Sequence, residues 1–179
     1  MSGSDNDGGK RPQFEIFRGA QARDYAEHDC MALDDITPTI AEGLTAFAEA
    51  GSAAGQTVEM LYSRPGMSLT RVWFKSGYPL PLHTHNSDCV YFIVAGSVQM
   101  GTESLGPGDG FFVGKEVPYT YTPGPEGVEV LEFRNTDDFN IRFMAKNSKA
   151  WDKTVEQVNR KRDDWTSEGP PSQLARSGA

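Results

Sequence analysis

Two histidines two positions apart, His83 and His85, are the residues of this sequence best suited to chemistry. Along a β-strand, residues two apart face the same side, so both imidazoles would point toward one place. Paired imidazoles are good ligands for divalent transition metals. The chain has only three histidines, and nothing in the spacing of the third, His28, or of its neighbour Cys30 places either near this pair. His83 and His85 are therefore the candidate metal ligands.

Cys89 follows four positions after His85 and has the same parity along a continued strand. As a thiolate it would be a third metal ligand, and as a thiol it would be a small buried apolar residue. Both interpretations stay open at this point. Asp88 is the nearest carboxylate, but on an alternating strand it points away from the histidines.

Tyr119 and Tyr121 are the candidate catalytic residues, again two positions apart. A phenol is a poor ligand for most divalent metals, but it donates hydrogen bonds and serves as an acid or base. The alternative is that both rings fill the core with their hydroxyls at the mouth of a pocket. Four further residues are candidates for lining the same pocket: Tyr91, Arg71, Trp73 and Glu132.

Each of these four candidates has its own set of possible positions in the barrel. Tyr91 shares the parity of Cys89 and is expected in the same cavity. Arg71 and Trp73 face either a carboxylate substrate or solvent. Glu132 is either a substitute carboxylate ligand that points inward or an ordinary outward-facing strand residue.

Short strands are the elements that must position these residues. From position 57 to 145, short apolar runs alternate with Gly and Pro turns at the spacing typical of an all-β sandwich or barrel. No helix longer than two turns is expected between residues 69 and 133. This pattern predicts a jelly roll. The predicted strands cover residues 58–62, 69–74, 89–95, 97–101, 110–113, 119–122, 128–133 and 141–145.

The two ends of the chain are predicted to lie outside this barrel. Residues 1–12 are polar and Gly-rich and are expected to form a disordered leader. Residues 13–56 form an N-terminal extension with one helix over 39–50, which Thr37 caps and Pro38 begins. A short strand is expected at Phe14, Ile16 and Phe17.

Residues 57–145 make the barrel, and residues 146–179 make a C-terminal helix and a loose tail. The helix is expected over 148–162, where Trp151, Val155 and Val158 share one face that docks on the barrel.

The charge balance argues against two classes of partner. The chain has 17 Lys and Arg against 25 Asp and Glu, a net charge of −8. Such a chain repels phosphate backbones and anionic lipid surfaces, so neither nucleic acid nor a membrane is expected as a partner. The first residues lack the apolar segment of a signal peptide, which predicts a cytoplasmic location. In that compartment, Cys30 and Cys89 are expected to remain reduced.

Two segments carry a family resemblance. Gly77, five residues, His83-Thr-His85 and then Gly96 resemble the first motif of the cupin superfamily. Residues 105–119, with the turn at 107–109 and Pro118, resemble the second. Cys89 stands where the family places a glutamate, and Tyr119 stands where it places a histidine. The chain thus resembles a single-domain cupin with a degenerate metal motif.

The resemblance implies an all-β fold, the cupin-type double-stranded β-helix or jelly roll, with flanking N-terminal and C-terminal helices. The side chains of His83, His85, Cys89 and Tyr119 are then expected to converge in one pocket.

Two functions remain open. One is a metal-dependent enzyme of dioxygenase, isomerase or lyase type that acts on a small organic molecule. It would bind one divalent transition metal (Fe, Zn, Mn, Ni or Cu) through His83 and His85, with Cys89 as the candidate third ligand. The other is a non-catalytic, metal-free cupin that binds a small molecule or serves as a structural dimer. A homodimer is expected in either case.

Overall fold

Strands make up most of the regular structure in the computed structural model, which describes residues 14–174 and 176. The predicted leader at 1–12 lies outside the described residues. The ten strands are β1 (Arg23–Asp24), β2 (Met31–Asp34), β3 (Gln56–Arg64), β4 (Met67–Phe74), β5 (His83–Thr84), β6 (Cys89–Met100), β7 (Glu103–Leu105), β8 (Gly110–Val113), β9 (Thr122–Arg134) and β10 (Phe139–Phe143).

These strands form two sheets. The larger has the order β1-β3-β4-β9-β6-β7, with β8 paired to β6, and the smaller has the order β2-β10-β5. All pairs are antiparallel except β2 with β10. Because side chains alternate along each strand, one face of β4, β6 and β9 forms the interior. Val72, Ile93 and Val130 are buried there.

The β-rich character expected from the sequence is confirmed, and residues 69–133, all of which are described, contain no helix. Two predicted strands, 89–95 and 97–101, are one strand, β6. Gly96 lets it continue, because a positive φ of 74° accommodates an irregularity in its pairing with β9. The strand predicted at 119–122 is wrong. Tyr119 makes only one isolated bridge, to His83, and β9 begins at Thr122.

Two helices pack against one another. α1 (Pro38–Glu49) begins where Thr37 Oγ1 accepts a hydrogen bond from Ile40 N, and α2 (Ser148–Trp165) begins where Asn147 caps Ala150 N. At Gly43 of α1, an added Cβ would lie 2.2 Å from the ring of Trp151, so only glycine permits this contact. No helix among the described residues is long and apolar enough to cross a membrane.

The chain ends differ from expectation in their local structure. Residues 14–17 form no strand, although the ring of Phe17 lies 5.7 Å from that of Tyr62. At the other end, α2 extends to Trp165, and the following residues are held in place. Glu168 accepts hydrogen bonds from Ser76, and Arg176 forms ion pairs with two carboxylates on the outer face of the larger sheet. The part of the tail that the structure describes is therefore docked on the barrel.

Candidate functional site

A cavity of about 830 Å³ opens between the two sheets. Its polar lining residues include His83, His85, Tyr119, Glu132 and Arg134. Its apolar residues include an aromatic cluster of Phe47, Phe74 and Tyr78, in which the last two rings stack at 4.7 Å. Phe74 pairs with Val128 of β9, six residues from Arg134, so the aromatic and polar groups lie about 20 Å apart along the strands.

His83 and His85 are held in one orientation by backbone carbonyls. His83 Nδ1 lies 2.7 Å from Pro81 O, and His85 Nδ1 lies 2.5 Å from Asn140 O. A carbonyl can only accept, so each Nδ1 carries the proton and each Nε2 keeps its lone pair. The two ring centroids are 5.0 Å apart, and both rings line the cavity. The pair therefore presents two hydrogen-bond acceptors to a bound molecule.

Burial keeps both imidazoles uncharged. Removal from water, reinforced by the nearby Arg134 cation, lowers the pKa of His85 to about 3. Burial also lowers the pKa of His83. At neutral pH both rings are neutral, which leaves them able to accept a proton.

The ring of Tyr119, whose hydroxyl pairs with that of Tyr91, lies next to His83. The rings of His83 and Tyr119 are 4.4 Å apart, and their backbones exchange two hydrogen bonds of 3.3 and 3.0 Å. Tyr119 Oη lies 2.5 Å from Tyr91 Oη. Burial raises the pKa of both phenols, so both keep their protons at neutral pH. The fold thus fixes a proton donor beside a proton acceptor.

Arg134 completes the polar end of the cavity, and the sequence interpretation missed it. Its guanidinium donates to Glu132 at 2.7 Å and to the Tyr91 hydroxyl at 3.4 Å, and it lies 4.3 Å from the centre of the Phe139 ring. Burial is the largest single influence and lowers its pKa, but the Glu132 carboxylate together with the surrounding tyrosine and cysteine groups outweighs burial and raises the pKa of Arg134 overall. Glu132 points inward, as it would in the interpretation that made it a metal ligand. Its carboxylate is instead paired with the Arg134 guanidinium.

Cys89 does not line the cavity, although it was expected to converge there with the histidines. Its side chain is 2% exposed, and Sγ donates to Val90 O at 3.6 Å. Burial raises the pKa of this thiol to about 12, so it is not a thiolate at neutral pH. The cross-strand partner of Cys89 is Arg134, whose long side chain reaches the cavity from the same face. Of its two interpretations, Cys89 therefore fits the small buried apolar residue and not the thiolate ligand.

The other predicted site residues lie on the two faces of the larger sheet or, in the case of Tyr121, just before β9. Tyr121 is buried and lines the cavity, and Tyr91 is buried behind Tyr119 with its ring stacked on Phe111 at 4.5 Å. Arg71 and Trp73 do not line it. Strand alternation turns them to the outer face, where Arg71 pairs with Glu59 at 2.8 Å.

The donor set does not fit a metal centre of three or more protein ligands. Within residues 14–174 and 176, no group of three or more His, Cys, Asp or Glu side chains is placed to share an ion. The nearest carboxylate, Glu132, is already bound to Arg134, and that buried cation disfavours a second positive charge beside the histidines. His83 and His85 alone have the orientation that metal-binding histidines show.

A segment of the N-terminal extension also lines the cavity. Tyr25 and His28 both contribute, and His28 Nε2 is buried without a hydrogen-bond partner among the described residues. The spacing of His28 in the sequence gave no signal of this position, because its place depends on long-range pairing of the strands around it.

No family model and no curated protein matches the sequence. Several solved structures match the fold. The polyketide cyclase RemF from Streptomyces resistomycificus is 18% identical, with a TM-score of 0.50, over 59% of this chain and 82% of that one. An RmlC-like cupin from Shewanella frigidimarina is 24% identical, with a TM-score of 0.42, over 46% of this chain and 78% of that one. KdgF from a Halomonas species is 21% identical, with a TM-score of 0.43, over 64% of this chain and 92% of that one. At these identities the likeness shows the fold alone.

Proposed function

We propose that this chain, whose fold is that of the cupins, is a metal-independent enzyme that moves protons on a small, uncharged organic molecule. The observation that carries the proposal is that neutral His83 and the ring of Tyr119 lie side by side in the lining of one cavity, with the Tyr119 hydroxyl paired to that of the buried Tyr91. A base and an acid held at one point are what isomerisation and elimination next to a carbonyl require.

His83 is the proposed general base. It lies closer to Tyr119 than His85 does, at 4.4 Å against 6.1 Å between ring centroids. A base with a pKa of about 3, as in His85, is too weak to remove a carbon-bound proton efficiently near neutral pH. His85 therefore positions the substrate as a hydrogen-bond acceptor, while His83 Nε2 takes the proton.

Tyr119 is the proposed acid. Its hydroxyl donates to a carbonyl oxygen of the substrate, so that negative charge developing on that oxygen is stabilised when His83 removes a proton from the adjacent carbon. The Tyr91 hydroxyl supports Tyr119, and the Arg134 guanidinium polarises Tyr91 at 3.4 Å. The proton returns from His83 to another carbon in an isomerisation, or to a leaving hydroxide in an elimination.

The charges of the cavity favour a neutral substrate. Glu132 and Arg134 neutralise each other, and among the described residues the only other charged one in the lining is the exposed Asp24, which caps a turn. A charged ligand would leave a buried charge without a partner. A volume of about 830 Å³ and the stacked rings of Phe74 and Tyr78 suit a molecule with a sizeable apolar or aromatic body.

Proton exchange on a model ketone tests the proposal. We would incubate the protein with 2-tetralone, an uncharged aromatic ketone, in D₂O and follow deuterium uptake beside the carbonyl by NMR. Wild-type protein is expected to accelerate uptake above buffer, His83→Gln to remove the acceleration, and Lys149→Gln, an exposed change on α2, to keep it. Binding of the ketone with no acceleration would favour the non-catalytic binder instead.

A metal-dependent enzyme is the second candidate. One observation favours it, namely the carbonyl-bound Nδ1 atoms that leave both Nε2 atoms of His83 and His85 without partners among the described residues. Other coordination positions would need water or substrate. Elemental analysis of purified protein tests this candidate directly.

We also propose a homodimer that forms through the outer face of the larger sheet. Phe133, Val90 and Phe112 are neighbours across β9, β6 and β8, and they form an apolar row with Leu69 of β4. Phe112 is 64% exposed, and Phe92 is exposed beside the row. A second copy is the proposed occupant, because a self-complementary apolar face buries itself in a two-fold interface.

Both cysteines are free thiols, which supports the proposed cytoplasmic location.

A further inference from the structure

A short segment closes one side of the cavity, and we call residues 24–31 the cover. Asp24, Tyr25, His28 and Met31 all line the cavity from it. At the start of the cover, β1 pairs with β3 of the larger sheet, and at its end β2 pairs with β10 of the smaller one. The cover thus runs from one sheet to the other beside the site.

Polar contacts fix the cover relative to the histidines. Asp34, at the end of β2, accepts hydrogen bonds from Asn140 Nδ2 at 2.8 Å and from Arg142 at 3.1 Å. Asn140 is also the residue whose carbonyl orients His85. The strand that carries the cover and the ring of His85 are therefore bound to the same residue of β10.

Within the cover, His28 has an unused hydrogen-bonding atom. Its backbone N–H donates to Tyr25 O at 3.0 Å, which closes the turn before it. Its Nε2 atom is buried and has no partner among the residues that the structure describes. A buried polar atom without a partner costs about 1–3 kcal/mol, so such atoms in a binding cavity commonly receive their partner from a ligand.

We propose that His28 is a specificity-determining residue that hydrogen-bonds to a hydroxyl group of the substrate. The inference rests on the proposed use of this cavity for an uncharged molecule and narrows its class. Because His28 lines the cavity from the cover and His83 lines it from β5, His28 is proposed to contact a different part of the molecule from the reacting carbonyl. The substrate is then a hydroxylated apolar or aromatic carbonyl compound that bridges the barrel residues and the cover.

The experiment uses three probes that differ only in a hydroxyl group. They are 2-tetralone and its 6-hydroxy and 7-hydroxy derivatives. The chain has three histidines, so a ¹H–¹⁵N spectrum of their ring nitrogens resolves each one, with assignment from single variants. In the wild-type protein, at least one hydroxylated probe is expected to shift the His28 Nε2 resonance, and 2-tetralone is expected to shift only His83 and His85.

Affinities provide the second measurement. The better hydroxylated probe should bind about fivefold more tightly than 2-tetralone, which corresponds to one net hydrogen bond of about 1 kcal/mol. His28→Phe should remove this preference while 2-tetralone still binds, and His28→Gln, which keeps a hydrogen-bonding group, should restore part of it. Circular dichroism on each variant checks that it is folded.

The outcomes separate this inference from the proposed function. A shifted His28 resonance without any deuterium exchange would support the role of His28 and refute the proton-transfer chemistry. Exchange on all three probes with an unchanged His28 resonance would refute the role of His28 alone. The inference is also overturned if none of the probes binds at millimolar concentration, or if His28→Phe keeps the preference for the hydroxyl.

Discussion

Acidification should destabilise the protein through His85, and the size of the effect follows from its burial. Burial and the Arg134 cation lower the pKa of His85 to about 3 in the folded state, whereas an unfolded chain has the ordinary value of about 6.5. Between these values the unfolded chain binds more protons than the folded one. Stability is therefore complete above about pH 6.5 and falls as the pH is lowered toward 3.

The expected loss is measurable. Each pKa unit corresponds to about 1.4 kcal/mol, so His85 alone should remove about 2 kcal/mol of unfolding free energy between pH 8 and pH 5. We would measure urea unfolding at pH 8, 6.5 and 5 on wild type and on His85→Gln, whose side chain cannot titrate. The decrease from pH 8 to pH 5 should be smaller in the variant by about 2 kcal/mol.

The comparison with the variant removes other titrating groups. Carboxylates and the similarly buried His83 contribute to the pH dependence of both proteins and cancel in the comparison. The ring ¹⁵N shifts of His85 give a direct check, since they should remain those of a neutral imidazole down to pH 5. Equal pH dependence in the two proteins, together with titration of His85 near pH 6.5, would refute the buried, neutral state on which the mechanism depends.

Four other substitutions test separate parts of the structure. Tyr119→Phe should lower deuterium exchange roughly 100-fold while costing about 1 kcal/mol in urea unfolding, because it removes the acid but little packing. Arg134→Met should cost about 3–5 kcal/mol in the same assay by leaving Glu132 unpaired, and the double variant with Glu132→Gln should recover part of that loss. Gly43→Ala should destabilise by about 1–3 kcal/mol, because the new methyl group overlaps the ring packed on α1, and thermal unfolding would detect it. Phe112→Ser should convert a dimer to a monomer in light scattering, and a wild-type monomer at micromolar concentration would contradict the proposed interface.

The barrel could be predicted from the sequence because its strands carry local signals. Gly and Pro turns separate short apolar runs, and the parity of His83 and His85 placed both imidazoles on one side. Gly96 was interpreted as a turn between two strands, because a glycine at the end of a strand and a glycine in a bulge cannot be distinguished in sequence.

Arg71 and Trp73 show why parity alone failed on β4. Nearly all of this strand is buried, on the inner face by the barrel and on the outer face by contacts such as those of Glu59 and Arg176. A strand that is covered on both sides lacks the alternation that identifies its inner face. Its register against β9 decides the matter, and register is a long-range property.

Arg134 and His28 were missed for the same reason. Arg134 is the last residue of β9, where the sequence alone indicates an ordinary polar residue at a strand end. Its pairing with Cys89 brings the guanidinium into the cavity. His28 reaches the site only because β1 and β2 belong to different sheets. Neither the pairing of β9 with β6 nor that of β1 and β2 with their sheets can be predicted from the neighbouring residues in the sequence.

Metal content measured together with activity tests whether proton transfer in this cavity is independent of metal. We would determine transition metals in purified protein by mass spectrometry and measure deuterium uptake by 2-tetralone before and after dialysis against EDTA. We expect much less than one metal ion per chain and an unchanged exchange rate after dialysis, with the rate lost only in His83→Gln. One bound metal per chain, with exchange that disappears on chelation and returns when the metal is restored, would contradict this expectation.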